Sequence, residues 1–282
     1  RTSMKEFVIN ASPLETRIAL LEDKRLTELL IERQESPSIV GNIYKGRVDS
    51  VVPGMQAAFI DIGFEKNGFL YVSDIAGAEG TGDIELEDGV PRAKTRAKRA
   101  RQQPIETMLK KNQFIMVQVI KDRIGNKGAR LSNFITIPGR FAVLMPTVST
   151  LGVSRKIESD KERDRLKRVL QQVRPQGMGL ITRTAGEGRS KADFQNDVRY
   201  LTRIWDRAKQ KFETMKGPGL IREDLSAVLR AVRDQFTADF ERLLIDSQTE
   251  YDRILSFLEN LAPQLKRRVK LYRGKVPIFE KM

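Results

Sequence analysis

The stretch NIYKGRVDSVVPGMQAAFIDIGFEKNGFLYVSDI, residues 42–75, decides the fold of the region around it. Three segments that alternate between apolar and polar residues lie close together in it: Gly46–Val52, Gln56–Ile62 and Gly68–Val72. Gly, Pro and Asn cluster between these segments, which is typical of tight turns between antiparallel strands. The stretch therefore predicts a three-stranded meander, and the apolar segment Phe114–Ile120 is the strand that we expect to close it into a barrel.

Meanders of this kind build the small barrels of the OB fold, whose exposed sheet face binds oligonucleotides. The segments KGRV, AAFIDIG and GFLYVSD resemble the S1-type RNA-binding domain. Phe59 and Phe69 stand where such domains expose aromatic rings, and stacking on a base is worth ~1–3 kcal/mol whatever the base. An alternative stays open, in which both rings fill the barrel core, although Val48 and Ile60 can supply that core.

Three further residues of the predicted barrel favour contact with RNA. Tyr71 stands where many S1-type domains carry His, and it offers a ring with a hydrogen-bonding group. Lys121 follows the closing strand, and Lys127 lies in a Gly-Asn-Lys-Gly turn whose glycines let the backbone approach a phosphate. Taken singly, a lysine of this kind is more often simply solvated.

Composition supports a polyanionic partner. Lys and Arg number 51 against 37 acidic residues, a formal net charge of +14, and each neutralised phosphate adds affinity by releasing counterions. A soluble protein that is merely basic is the alternative. The chain has no Cys and no His, which excludes disulfides, Cys/His zinc sites and imidazole acid–base catalysis within it. No apolar run approaches the ~20 residues that span a bilayer, so we expect a cytoplasmic protein.

The basic run RAKTRAKRAR, residues 92–101, carries six cations and no acid. One interpretation is a flexible loop that grasps RNA, and the other is a solvated helix on an insertion. The acidic stretch before it, Asp83–Asp88, lacks the pattern of a metal-binding loop and indicates a solvent-exposed segment. The role of the basic run stays open.

Outside the barrel, the sequence predicts seven strands and four helices. The predicted strands are Glu6–Asn10, Thr16–Leu21, Arg25–Glu32, Thr136–Met145, Gly179–Thr182, Phe240–Asp246 and Arg268–Tyr272, and the predicted helices are Lys161–Gln172, Ser190–Thr214, Glu223–Gln235 and Gln248–Leu261. Trp205 lies on the apolar face of the second of these helices, so we assign it to a core and not to a base-stacking site.

An RNase H-like fold has this element order: three strands, a long insertion, and then helix, strand, helix and strand. The catalytic form of that fold needs a carboxylate on its first strand for two-metal chemistry. Here Asn10 is neutral and Glu6 stands only at the start of the strand. We therefore expect a structural host and no nuclease centre in this domain.

The segment GLITRTAGEGRS, residues 179–190, predicts a strand end followed by glycine turns and a helix start. The guanidinium of Arg183, the hydroxyl of Thr184 and nearby backbone amides are groups that grip a phosphate. The glycine spacing is not that of a Walker loop. A phosphate pocket and a plain tight turn both remain open on the residues alone.

These motifs together resemble the amino-terminal half of the ribonuclease E/G family. The resemblance is carried, in order, by NIYKGRV, AAFIDIG, NGFL, GNKGARLSNFITIPGR, SRKIE, GMGLITRTAGEGRS and LYRGKVPIF. It implies an α+β multidomain chain in which an RNase H-like domain is interrupted by an OB-fold (S1-type) barrel and a small α/β 5′-sensor domain. The implied domains are residues 4–38 (RNase H-like, first part), 39–133 (S1-type), 134–219 (5′ sensor) and 220–279 (RNase H-like, second part).

The resemblance also implies roles for single residues. Those implied to bind a 5′-monophosphate are Arg183 and Thr184, which hold it, Gly139 and Val143, which line its pocket, and Arg155, which supports it. Those implied to contact RNA on the S1 face are Phe59, Phe69 and Lys127, followed by Lys121, whereas Tyr71 is assigned to this face from the S1-type pattern alone.

The resemblance implies an endoribonuclease that acts on single-stranded RNA in rRNA processing and mRNA decay. In that family catalysis belongs to a DNase I-like domain after LYRGKVPIF, where paired aspartates and Mg²⁺ activate water. We therefore expect no catalytic residue and no metal site in this chain, which should bind RNA without cutting it, and a homo-oligomer for the full-length protein. The alternative is a non-catalytic RNA-binding or ribosome-assembly factor, and the coding sequence beyond Met282 would distinguish the two.

Overall fold

The computed structural model of the protein describes residues 3–33, 38–75, 84–87, 90–93 and 103–281. The chain divides into two compact units, one formed by residues 1–37 with 225–282 and the other by residues 38–224. Most of the basic run and part of the acidic stretch before it lie outside the described residues, so both interpretations of that run stay predictions. Among the described residues, no helix is both long and apolar enough to cross a bilayer.

The strands, numbered in chain order, are β1 (Lys5–Ala11), β2 (Glu15–Glu22), β3 (Arg25–Arg33), β4 (Ile43–Val52), β5 (Ala57–Asp61), β6 (Gly68–Tyr71), β7 (Ile84–Glu87), β8 (Val90–Ala93), β9 (Phe114–Lys121), β10 (Arg130–Ser132), β11 (Ile137–Pro138), β12 (Ala142–Met145), β13 (Leu151–Val153), β14 (Gly179–Thr182), β15 (Gly219–Arg222), β16 (Phe240–Ile245) and β17 (Val269–Leu271). The helices are α1 (Ile105–Met108), α2 (Asp160–Val173), α3 (Lys191–Thr214), α4 (Ala227–Gln235), α5 (Gln248–Leu261) and α6 (Ile278–Lys281).

The first unit contains a five-stranded sheet in the order β17-β16-β1-β2-β3. β1, β2 and β3 are antiparallel, whereas β16 runs parallel to β1 and β17 parallel to β16. The strands and helices predicted for this unit are present. The helix expected from Glu223 begins at Ala227 instead, because the Ser226 side chain accepts a hydrogen bond from the backbone N–H of Leu229 and caps it there.

The second unit contains a closed five-stranded barrel. Its strands follow the order β4-β5-β6-β10-β9, and β9 pairs back onto β4. The interior is filled by alternating apolar residues that are fully buried, among them Val48, Ile60, Leu70, Val117 and Leu131. This barrel is consistent with the predicted OB-type domain, and the expected closing strand is confirmed. The three-residue strand β10 was not predicted, since so short a segment has no visible alternation.

A four-stranded sheet in the order β11-β12-β14-β13 follows the barrel in the same unit. Helices α2 and α3 cover it with one apolar core that includes Leu166, Leu201 and Trp205, which confirms the assignment of the tryptophan. The predicted single strand Thr136–Met145 is wrong: β11 ends at Pro138 and β12 begins at Ala142. A turn between them is held by a buried acid from α3.

The barrel and this sheet are also joined by a strand pairing and by side-chain hydrogen bonds. Strand β15 follows α3 and pairs with β4 at the barrel edge. The Lys45 ammonium of β4, which is almost fully buried, donates hydrogen bonds of 2.7 Å each to the carbonyls of Phe212 and Met215 at the end of α3. Helix α3 therefore has its carboxyl end fixed to the barrel.

Candidate nucleic-acid interface

Phe59 and Phe69 lie side by side on the outside of the barrel. They are paired residues of β5 and β6, so their side chains share one face, and the ring centroids are 4.9 Å apart with a tilt of 53°. Both side chains are partly exposed, whereas the neighbouring Ile60 and Leu70 point inward and are buried. The structure thus rejects the alternative in which both rings fill the core.

Two cations extend this pair across the barrel. Strand register places Arg130 of β10 beside Phe69, and Lys121 of β9 beside Arg130. Four residues therefore form one row across the strands on the outer surface, which we call the barrel row: Phe59, Phe69, Arg130 and Lys121. Its two rings can stack on bases while its two cations meet phosphates, the combination that single-strand binding uses.

Arg130 is fixed in orientation by two neighbours. Its guanidinium forms an ion pair of 2.9 Å with Asp74, and its central carbon lies 5.1 Å from the centroid of the Tyr71 ring. Burial raises the pKa of Asp74, and the adjacent guanidinium opposes that shift. Tyr71 is thus placed next to the barrel row, where its partly exposed ring supports a cation.

Lys127 lies at the end of a two-residue turn between β9 and β10. Backbone hydrogen bonds of 3.0 and 3.3 Å link it to Ile124 in both directions, and Gly125 adopts a positive φ of 54° at the turn. The Lys127 side chain is exposed, as is that of Lys121. Both lysines therefore present their charge to solvent, as a phosphate contact requires.

Arg183 and Thr184 lie directly after β14, where the predicted phosphate pocket was expected. The Arg183 guanidinium donates a 2.7 Å hydrogen bond to the Gly139 carbonyl, and its backbone N–H donates to the Phe141 carbonyl at 2.8 Å. The Thr184 hydroxyl is exposed and lies 3.1 Å from the hydroxyl of Ser154. A guanidinium held in place and two hydroxyls, one of them on the next residue of the chain, are groups suited to an anion.

The turn that anchors Arg183 is built on a buried carboxylate. Asp197 of α3 accepts hydrogen bonds of 2.9, 2.8 and 3.0 Å from the backbone N–H groups of Arg140, Phe141 and Ala142. Burial raises the pKa of this carboxyl group, while the three amides and the Arg183 charge oppose the shift. The acid thus fixes the turn and lies close to the positive charge of Arg183.

Gly139 is required by this geometry. A Cβ at that position would stand 2.5 Å from both carboxylate oxygens of Asp197, so no other residue fits without moving the acid. Val143 lies on β12 and is fully buried, which limits its side chain to packing beneath the turn. Arg155 follows Ser154 and is exposed. The five predicted pocket residues therefore fall on three neighbouring segments of one sheet and its loops.

The loop after Thr184 is held from α2. Glu162 accepts hydrogen bonds of 2.6 and 2.7 Å from Arg165 and one of 2.8 Å from the backbone N–H of Gly188. These donors, Arg165 first, lower the pKa of the Glu162 carboxyl group to about 2. At the end of the loop, the side chains of Ser190 and Asp193 form a capping box at the start of α3. Both ends of the Thr184–Ser190 loop are thus positioned.

Comparison with known proteins gives a consistent result. A family model described as "Ribonuclease E/G family" matches residues 136–282, a little over half of the chain. Ribonuclease G of Escherichia coli (strain K12) is 38% identical over 279 residues, and ribonuclease G of Haemophilus influenzae is 38% identical over 275 residues; each match covers 98% of this chain and 54% of the relative. Ribonuclease E of Escherichia coli (strain K12) is 35% identical over 280 residues, 98% of this chain and 25% of that protein.

The chain belongs to the ribonuclease E/G family. It spans about half the length of the ribonuclease G relatives that it matches and about a quarter of the ribonuclease E relative from Escherichia coli. The resemblance stated from the sequence motifs is thereby confirmed at the level of the family.

The acidic side chains of the described residues bear on the expectation that this chain holds no metal site, which stays a prediction. In those parts of the structure, no three Asp, Glu, His or Cys side chains are grouped as a metal ion would require. Two of the acids near the candidate surfaces bind other groups of the chain: Asp74 pairs with Arg130, and Asp197 holds the turn at residues 140–142.

Three residues of these surfaces were missed from the sequence. Asp197 carried a signal, because it lies on the apolar face of α3, three residues after Phe194 and four before Leu201, and an acid at such a position calls for a buried partner. Arg130 and Ser154 carried no such signal, since their positions depend on the pairing of two short strands. Arg130 begins β10, and Ser154 directly follows β13.

Proposed function

We propose that this chain is the RNA-binding and 5′-monophosphate-sensing portion of a ribonuclease E/G-type endoribonuclease that acts on single-stranded RNA. One observation carries the proposal: the barrel row and the anchored Arg183–Thr184 pair lie in the same compact unit. The row offers ring faces and cations to unpaired nucleotides without regard to sequence. The pair offers a guanidinium and a hydroxyl to a single terminal phosphate.

The preference for a monophosphate follows from the shape of the second surface. Arg183 is tethered to the Gly139 carbonyl, and Ser154 limits the space beside the Thr184 hydroxyl. A terminal monophosphate can be matched by donors in fixed positions, whereas a triphosphate adds charge and bulk for which these residues supply no further partners. A 5′-hydroxyl lacks the anion altogether. The surface is therefore proposed to recognise where an RNA strand begins.

The rest of the proposal rests on the family. The first unit, with its order β17-β16-β1-β2-β3, is proposed to be an RNase H-like host into which residues 39–219 are inserted. Cleavage with Mg²⁺ is proposed to depend on parts of the longer family proteins that these residues do not include. The full-length enzyme is proposed to work as a cytoplasmic homo-oligomer in rRNA processing and mRNA decay.

A titration of short RNAs that differ only at the 5′ terminus tests the sensing role. Fluorescence anisotropy should show tighter binding of a 5′-monophosphorylated RNA than of the same RNA with a 5′-hydroxyl. Arg183→Ala should weaken binding of the monophosphorylated RNA by about 1.5–3 kcal/mol, the value of a hydrogen bond to a charged group, and leave the 5′-hydroxyl RNA nearly unchanged.

Arg203→Ala is the matched control, because it removes an exposed arginine of α3 from the same unit. It should change binding of both RNAs equally and slightly. Equal losses on Arg183→Ala for both RNAs would discard end sensing at this position. Cleavage of RNA by the purified 282-residue chain with Mg²⁺ would contradict the proposal that this portion binds without cutting.

A further inference from the structure

A second aromatic–cation pair lies outside the barrel row, where Phe64 of the loop between β5 and β6 meets Arg123 of the segment between β9 and β10. The guanidinium carbon of Arg123 stands 4.4 Å from the centroid of the Phe64 ring. Phe64 is partly buried and meets the Tyr44 ring edge-on at 5.7 Å, so the ring is seated on the barrel core. Arg123 is exposed, and its guanidinium carbon lies over the ring.

The loop that carries Phe64 is tied to the turn that carries Lys127. The Lys66 ammonium donates a 2.9 Å hydrogen bond to the side-chain carbonyl of Asn126. The two backbones also touch, since a Cβ on Gly128 would stand only 1.8 Å from the Asn67 carbonyl oxygen. Residues 63–67 and 122–128 therefore form one continuous ridge at this end of the barrel, which we call the loop ridge.

The loop ridge carries a net positive charge. Lys66, Arg123 and Lys127 are exposed cations on it, and Glu65 is the exposed acid among them. The other acid, Asp122, keeps its charge, and its carboxylate accepts hydrogen bonds from the Ser38 hydroxyl at 2.6 Å and the Ile39 backbone N–H at 2.9 Å. Three cations against two acids leave a net positive charge, which suits a polyanion that follows the ridge.

A guanidinium stacked on a ring has a particular use in RNA binding. The phenyl face orients the planar group, and its outer plane remains able to stack on an unpaired base. The N–H donors around its edge can still reach phosphate oxygens. Arg123 on Phe64 therefore combines both kinds of contact that the barrel row divides among four residues.

We infer that the loop ridge is a second stacking platform for single-stranded RNA, on which Arg123 supported by Phe64 holds a nucleotide beyond those on the barrel row. The two platforms are close together, because Lys127 of the ridge lies only three residues before Arg130 of the row in the chain. This inference rests on the proposed function and adds the prediction that affinity depends on RNA length.

The test compares 5′-hydroxyl RNAs of five and twelve nucleotides, since a single OB fold covers roughly 4–16 nucleotides. Phe64→Leu keeps an apolar side chain under the ridge but removes the ring. Arg123→Gln removes the cation, and Arg123→Lys keeps the charge but removes the plane. Each of the three should weaken binding of the twelve-nucleotide RNA by roughly five- to twentyfold, as expected for one lost stacked base, and leave the five-nucleotide RNA within about twofold.

Two controls separate failure of this inference from failure of the proposed function. Lys111→Gln removes an exposed cation before the start of β9, at the opposite end of that strand, and should not alter the length dependence. Phe59→Ala should weaken both RNAs; if it weakens neither, the proposed function itself fails. If Phe59→Ala weakens both RNAs while the ridge variants weaken neither, the second platform alone is overturned.

Two further results bear on the stacking step. Binding of the long RNA by Arg123→Lys as tight as by the unchanged protein would overturn the platform, since charge alone would then suffice. Should Phe64→Leu lower the melting temperature, the Arg123 variants decide the matter, because the exposed guanidinium can be replaced without touching the core. A length-dependent loss in them supports the platform, and its absence contradicts it.

Discussion

The barrel row and the turn at residues 139–142 that anchors Arg183, here called the Arg183 turn, are built in opposite ways. The row is an outer surface: its rings and cations are exposed or partly exposed, and they depend on the barrel only for their spacing. The conformation of the Arg183 turn depends on a buried group, since the almost fully buried carboxylate of Asp197 holds three consecutive backbone amides in place. We propose that the first surface tolerates variation in its ligand and that the second is preorganised for one group.

The difference has a physical reason in what each surface is proposed to recognise. Every base offers an aromatic face, so a flat array of rings gains affinity without precise placement. A terminal phosphate is a compact anion, and charge-assisted hydrogen bonds to it reward donors that are already in position. Ordering those donors costs free energy in the folded protein, because an acid must be buried to do it. Substitutions should therefore affect folding and binding differently at the two places.

The largest effect is expected for Asp197→Ala. This substitution leaves three buried backbone N–H groups without an acceptor and removes the acid near Arg183. The free energy of unfolding should fall by about 3 kcal/mol or more, as for other broken buried polar networks. The preference for a 5′-monophosphate should be lost at the same time. Urea denaturation and anisotropy below the melting temperature measure the two effects.

Asp206→Ala is the control for this substitution, because Asp206 is an exposed acid on the same helix that pairs with Lys209 at 3.2 Å. It should cost less than about 1 kcal/mol. Asp197→Asn keeps one acceptor oxygen and should lie between the alanine variant and the unchanged protein. An Asp197→Ala variant that folds and keeps its preference for the monophosphate would show that the turn is not preorganised by the acid.

A smaller effect, and only on binding, is expected for Phe59→Ala and Phe69→Ala. Each should weaken RNA binding by ~1–3 kcal/mol, the value of one stacked base, and by the same amount for both 5′ termini. The free energy of unfolding should change by only about 1 kcal/mol, since the rings lie outside the core and lose mainly their mutual contact. Phe114→Ala, at the start of β9, tests an exposed aromatic outside the row.

The order of these effects is what distinguishes the two surfaces. If Phe59→Ala destabilised the barrel as strongly as Asp197→Ala destabilises the α3-covered sheet, the row would be part of a core and not an exposed surface. If its loss of affinity depended on the 5′ terminus, the two surfaces would act as one site. Either result would remove the contrast on which the proposed division of labour depends.

The sequence predicted most of the elements but less of the geometry. Long segments with a clear period, such as α3, α5 and β9, were found within a few residues, because their apolar pattern is set by the core they face. Strands of two or three residues, such as β10, β11 and β13, have no period to detect. Their positions follow from tertiary pairing and from one acid, Asp197.

The same division applies to the candidate sites. Phe59, Phe69 and Lys127 lie in motifs whose local spacing already suggests exposure, and the structure places them at the surface. The family resemblance placed Arg183 and Gly139 in one pocket, but their hydrogen bond does not follow from local spacing, because they lie 44 residues apart in the chain. Gly139 is specified by the lack of room beside Asp197. Local chemistry is visible in a sequence, whereas a network that joins distant segments is not.

The smallest expected effect concerns Glu162, which holds the Thr184–Ser190 loop from outside and not from the interior. Its pKa lies near 2 in the folded protein against 4.5 for an ordinary glutamate. A lowered pKa in the folded state means that the contribution to stability is fully present above about pH 4.5 and is lost as the pH falls toward 2. Because the Arg165 partner is more than a third exposed, the contribution should not exceed about 1 kcal/mol.

Thermal unfolding of Glu162→Gln between pH 2 and pH 7 measures this contribution. The melting temperature of the variant should lie slightly below that of the unchanged protein at pH 7, and the two should converge as the pH falls from 4.5 to 2. Glu187→Gln removes an exposed carboxylate from the same loop and should not reproduce this convergence. A difference as large as that for Asp197→Ala would mean that the loop, and not the buried turn, is the main source of order around Arg183.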